Sequence, residues 1–197
     1  MKRGRPKGAA GGALKARIVA AAAAEFARAG YEGARIEAIA RKAGCNRAMI
    51  YFYFDGKRGL FEAALNAVAD QRAAQIEGQP ATLADGLIYW FRRNLADPER
   101  IRLVMQEALA DLPADAQPAH RRAYLDQQLG TVRAFQAAGL LSADLDPRHL
   151  LTLFLAVTSF PACFPKVADA ALGAEGDEAE LRARWEDGLR ALAALLG

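Results

Sequence analysis

Four consecutive residues, Asn46-Arg47-Ala48-Met49, set a short amide, a long guanidinium and two apolar side chains side by side. A guanidinium such as that of Arg47 can donate two parallel hydrogen bonds to a guanine edge, and Ala48 or Met49 can meet a thymine methyl. Catalytic chemistry has no comparable carriers. The only histidines, His120 and His149, stand at no recognisable metal-ligand spacing from a cysteine or carboxylate. No glycine loop closes on Gly-Lys-Ser or Gly-Lys-Thr, and no Gly-x-Gly-x-x-Gly follows a strand. The sequence therefore predicts a binding protein rather than an enzyme, with no catalytic residue, no metal site and no cofactor.

A base-reading segment needs a rigid frame, and the flanking residues supply one. Ile36, Ile39, Ala40 and Ala43 recur at helical spacing and give a short helix one apolar face. Gly44 follows as a left-handed stop, where a Cβ would be penalised. Asn46 then stands where a side-chain oxygen can cap the next helix, whose Ile50 and Phe54 read as core. Small Ala40, four residues before Gly44, lets the two helices cross closely. This is the logic of a helix-turn-helix, whose second helix enters the major groove by its amino-terminal end.

From Ile18 to about Leu65 the chain resembles the TetR family of transcriptional regulators. Phe26 lies inside the first helix, Gly30-Tyr31 ends it, and Ile39-Ala40 with Ala43-Gly44 bracket the turn. Ile50-Tyr51-Phe52-Tyr53-Phe54, Lys57 and Leu60 complete the pattern. The resemblance implies a homodimer, with an N-terminal helix-turn-helix DNA-binding domain and a C-terminal helical ligand-binding and dimerisation domain. It also implies that Tyr51, Tyr53 and Lys57 touch phosphate, which positions the reading helix without specifying sequence. Arg35 joins them in the DNA-contacting set with Asn46, Arg47, Ala48 and Met49. The chain departs from the family pattern at several places. Ala34 stands where a threonine usually caps the helix and touches phosphate, and Asn46 replaces a common serine. Tyr53 replaces a frequent histidine, and Asp55-Gly56-Lys57-Arg58 replaces the usual Pro-Ser-Lys-Glu.

The formal charge of +3 hides a split. Residues 1–60 hold 13 Lys+Arg against 4 Asp+Glu, whereas residues 61–197 hold 13 against 19. A basic head on an acidic body confines the polyanion-binding surface to one end. Within that head, Lys2-Arg3-Gly4-Arg5-Pro6-Lys7 resembles an AT-hook core, whose Arg3 and Arg5 can reach acceptors on the minor-groove floor. Two distant cysteines, Cys45 and Cys163, suggest no disulfide framework and read as core filler in a cytoplasmic protein. No signal peptide is visible, and the longest uncharged run, Leu150–Pro165, is too short for the roughly 20 residues of a membrane helix.

Along the chain the pattern is helical throughout, with no strand alternation, so the predicted class is all-α. Residues 1–12 read as a flexible basic arm, 13–77 as the DNA-binding domain and 78–197 as the regulatory and dimerisation domain. The first helix is expected to begin near Ala13. Asp97-Pro98 opens a helix to about Leu112, and Asp146-Pro147 opens another that should kink or end at Pro161. Asp177 and Glu180 cap a final helix in which Leu181, Trp185, Leu189 and Leu192 form a stripe. That stripe and the Leu150–Pro165 run are the expected dimer surface. The expected ligand-pocket residues are Tyr89, Trp90, Arg93, Met105, Tyr124, Phe135 and Phe154.

Together these features predict a sequence-specific DNA-binding regulator, a homodimeric repressor on a palindromic double-stranded operator, released by a small-molecule effector. The alternative is a constitutive or architectural DNA-binding protein with a dry C-terminal core and no effector.

Overall fold

The computed structural model describes residues 9–74, 82–110, 119–173 and 177–197, and every regular element within them is an α-helix. In order these are α1 (Ala9–Gly33), α2 (Ile36–Ala43), α3 (Arg47–Tyr53), α4 (Gly56–Ala74), α5 (Leu83–Ala96), α6 (Pro98–Leu109), α7 (Ala119–Ala137), α8 (Pro147–Cys163), α9 (Pro165–Ala171) and α10 (Glu178–Leu196). Five of their starts carry side-chain caps. Oxygens of Asn46, Thr82, Asp97, Asp146 and Asp177 accept from backbone N–H groups two or three residues on. Each such cap contributes about 1 kcal/mol.

Two cores follow from the apolar faces of these helices. In the first, Phe26, Ile39, Ile50 and Phe61 from α1, α2, α3 and α4 are each at most 1 % exposed. Burying a side chain of this kind stabilises the fold by roughly 1.5–3 kcal/mol. The helical geometry of α1 breaks at Gly30, where φ is 72°, and Tyr31 turns back. Its ring lies 6.1 Å from Phe26 and 5.2 Å from Phe61. Leu103 of α6 belongs to the same core, so the second half of the chain keys into the first. The other core centres on α5, whose Leu87, Ile88 and Phe91 pack with Leu189 and Ala193 of α10. Val132, Leu141 and Leu150 close a third, smaller cluster beside α7 and α8.

Several boundaries differ from expectation. Helix α1 begins at Ala9 rather than Ala13, so residues 9–12 are helical rather than part of a free arm. Extending an existing helix adds one hydrogen bond per residue with no new nucleus, and this offsets the glycines at 11 and 12. Helix α6 stops at Leu109 instead of reaching Leu112. Leu109 is 76 % exposed, so its side chain adds little packing to hold a further turn. Helix α8 runs two residues past Pro161, then the chain bends by 103° into the unexpected short helix α9. Proline at 161 has no N–H for the carbonyl of Val157, and Trp185 of α10 supplies one instead, its Nε1 donating at 3.2 Å. Leu189 is 3 % exposed inside its own protomer, so that part of the α10 stripe builds the core rather than a dimer face. No single described helix is long and apolar enough to cross a membrane.

Candidate nucleic-acid interface and interior cavity

The turn between α2 and α3 is held from three sides. Gly44 takes φ 66° and ψ 40°, and Cys45 N–H donates to the Ala40 carbonyl at 2.9 Å. Arg17 reaches across from α1, and its guanidinium donates to the Ala43 carbonyl at the end of α2. A Cβ on Gly44 would stand 2.6 Å from that guanidinium and push it aside, and the positive φ itself favours glycine. Beyond the turn, Asn46 Oδ1 accepts from Met49 N–H at 3.0 Å. Its carbonyl oxygen is thereby spent on capping, while its NH2 remains a donor.

Arg47, the first residue of α3, is exposed and held ready. Its Nη1 lies 2.6 Å from Glu37 Oε1 on α2, and its guanidinium sits 5.9 Å from the Tyr51 ring centroid. A hydrogen bond to Tyr51, then the Glu37 carboxylate, hold its pKa above the ordinary guanidinium value. Ala48 is exposed next to it, Met49 is half-buried, and Tyr51 is 52 % exposed. Lys57 donates to the Glu32 carbonyl at 2.9 Å and stands 5.0 Å from the Tyr31 ring, which steadies an ammonium that keeps further donors. Arg35 is exposed in extended conformation at the head of α2 and makes no side-chain cap.

Tyr53 does not join this surface. Its hydroxyl is buried without a hydrogen-bond partner, and its ring packs 5.0 Å from Phe52 and 6.3 Å from Phe54. Two residues beyond Tyr51 lie about 200° round a helix, which turns Tyr53 inward when Tyr51 faces out. The expected phosphate contact at Tyr53 is therefore corrected to a packing role. Arg3 and Arg5 lie outside the described residues. Sequence reasoning missed Glu37, since nothing local links it to a residue ten positions away.

Behind the reading head, two hollows adjoin at Tyr124 and Leu155. The inner one, of about 60 Å³ between α5, α7 and α8, is lined by Trp90, Tyr124, Phe135 and Phe154 of the expected set. The outer one, of about 260 Å³, is lined by Met105 and again Tyr124. Tyr89 and Arg93 are not brought there, which corrects the expectation for both. They line a shallow groove on the outside of α5 with Arg92. Because α5 buries Leu87, Ile88, Phe91 and Asn94, positions 89 and 93 fall on the opposite face. Gln128, Thr131 and Thr158 also line the inner hollow and were not expected there.

A buried polar link joins this region to the first core. Asn94 on α5 is fully buried and donates to the Thr158 carbonyl at 2.9 Å and to Ser159 Oγ at 3.1 Å on α8. It accepts from Arg100 of α6 at 2.7 Å. Three residues on, Leu103 is buried against α1, so one connected set of side chains runs from cavity wall to DNA-binding half.

Comparison with known proteins gives a consistent picture. Residues 18–64 match the family described as bacterial regulatory proteins, tetR family, and residues 89–188 match the tetracyclin repressor-like C-terminal domain. The chain is 33 % identical over 169 residues to the HTH-type transcriptional repressor SCO4008 of Streptomyces coelicolor, covering 82 % of this chain and 84 % of that protein. It is 29 % identical over 170 residues to the HTH-type transcriptional regulator RutR of Escherichia coli K12, covering 82 % and 80 %. Among solved structures, the S. coelicolor protein SCO4942, titled a putative transcriptional regulator, superposes with a TM-score of 0.76 at 28 % identity, over 91 % of this chain and 97 % of that one.

Proposed function

The chain belongs to the tetR family of bacterial regulatory proteins, and from that premise we propose that it is a homodimeric repressor. Two copies grip a palindromic operator and release it when a small molecule enters the C-terminal domain. The observation that carries this reading is the exposed Arg47, set by Glu37 and Tyr51 at the head of a capped helix behind a locked glycine turn. Arg47 reads a base edge, Ala48 and Met49 meet apolar base surface, and Tyr51, Lys57 and Arg35 engage phosphate. In the full chain the arm carrying Arg3 and Arg5 adds contacts in the minor groove.

One reading head spans only a few base pairs, so specificity needs a two-fold pair. The surface for pairing lies on α8, α9 and the outer side of α10. Leu153, Phe160, Phe164, Val167 and Leu195 there are 36–84 % exposed in the single protomer, apolar side chains that a second copy would cover. The adjoining hollows argue against the architectural alternative, which calls for a dry C-terminal core. The work is binding rather than turnover, and its place is the cytoplasm, where the DNA is.

Release follows if the ligand favours one spacing of the two heads over the other. The Asn94–Arg100 link and Leu103 provide a route by which a change at α8 moves α6 against α1. The test is to select fragments of the source genome bound by the purified protein. A shared inverted repeat is expected. Bound fragments without a common inverted repeat would end the reading.

A further inference from the structure

Resting on the reading of the C-terminal domain as the effector site, we propose that the effector is an uncharged, elongated, mostly apolar molecule whose carbonyl oxygen accepts a hydrogen bond from Gln128. Gln128 on α7 is 7 % exposed and lines the inner hollow, yet its buried Nε2 has no hydrogen-bond partner. A buried amide N–H without an acceptor destabilises the protein that carries it, and an arriving acceptor removes that cost.

The neighbouring hydroxyls do not offer the same opening. Thr158 Oγ1 already donates to the Phe154 carbonyl at 2.7 Å, and Thr131 Oγ1 to the Gln127 carbonyl at 3.4 Å, each within its own helix. Positive charge is missing too among the described residues. None of their lysines, arginines or histidines lines either hollow, and a single carboxylate, Glu107, lines the outer one. An anionic ligand would lose its hydration there with no counter-charge from the described residues to replace it. The shape follows from the two hollows adjoining at Tyr124 and Leu155, which suits a chain-like or narrow molecule with its polar end beside α7.

The experiment titrates the purified full-length chain, Gln128→Met and Gln128→Leu with methyl heptyl ketone, nonanoate, nonylamine and toluene, the last as an apolar compound with no acceptor. The ketone should bind wild type at least tenfold more tightly than either charged compound. Both variants should bind the ketone about five- to tenfold more weakly, the worth of one hydrogen bond, while toluene binding holds. Both should also melt at a higher temperature than wild type when ligand-free, because the unpaired donor is gone. The proposal is overturned if the ketone does not bind, if a charged compound matches it, if the variants keep full ketone affinity, or if both variants melt lower. A ketone that binds through Gln128 but leaves operator DNA bound upholds this ligand class and sinks the effector reading. A charged compound that releases DNA from wild type and variants alike does the reverse.

Discussion

Glu37 of α2 holds the guanidinium of Arg47 of α3 at 2.6 Å across the turn, both side chains more than half exposed. An acid therefore sits on the basic group proposed to read a base in the major groove. Arg47→Ala should cost about 1–3 kcal/mol at one operator position and little on random DNA, whereas Tyr51→Phe should weaken both. Glu37→Gln should tighten binding to either DNA, most at low salt, since it removes a negative charge beside phosphates. Fluorescence anisotropy on operator and scrambled duplexes decides. Equal losses on both for Arg47→Ala would remove it from base reading.

Deleting residues 1–8 removes Lys2, Arg3, Arg5 and Lys7. If all four contact phosphate, the slope of log affinity against log salt should fall by about 3–4 units. A slope that stays put would make the arm a bystander.

Leu195 is 84 % exposed in the protomer, while Leu189, six residues earlier on the same helix, is 3 % exposed. Leu195→Glu should leave the fold intact and yield monomers that lose the operator. Leu189→Glu should instead unfold the C-terminal core, because a charge buried among Leu87, Ile88 and Phe91 must be desolvated. Sedimentation together with circular dichroism separates the two effects. A wild-type monomer at micromolar concentration would rule out the dimer.

Trp185 Nε1 satisfies the Val157 carbonyl that Pro161 cannot. Trp185→Phe should destabilise the chain by about 1 kcal/mol by leaving a half-buried acceptor without its donor. In a Pro161→Ala background the helix supplies its own donor, so the same change should cost less. A double-mutant cycle of urea midpoints measures the difference, and strict additivity would count against the compensation.

Glu186 on α10 is 6 % exposed and receives two hydrogen bonds of 2.7 Å from Arg92 on α5. That bonding outweighs burial and, with the charges of Arg92 and Arg190, holds the carboxyl below its ordinary 4.5. A depressed carboxyl contributes stability above its unfolded value and loses it as pH falls through the lower folded value. Melting temperature should therefore drop on acidification below pH 4.5, and less steeply in Glu186→Gln. Parallel curves for the two proteins would remove Glu186 from the acid response.

The helices around the reading head and their punctuation were legible in residue spacing alone. Gly44 and the caps at Asn46, Thr82, Asp97, Asp146 and Asp177 act within about one turn of their own position, and the apolar spacing of Ile36, Ile39 and Ala40 declares a face before any partner is known. What each face meets was set by the packing of helices distant in the chain. Tyr53 turned inward, Tyr89 and Arg93 turned out, Leu189 went to its own core, and Glu37 came to lie on Arg47. Gln128 looked like one more polar residue of a helix until α5 and α8 closed over its amide. These outcomes rest on the angles and distances at which separate helices pack, and residue spacing along one helix carries no record of them.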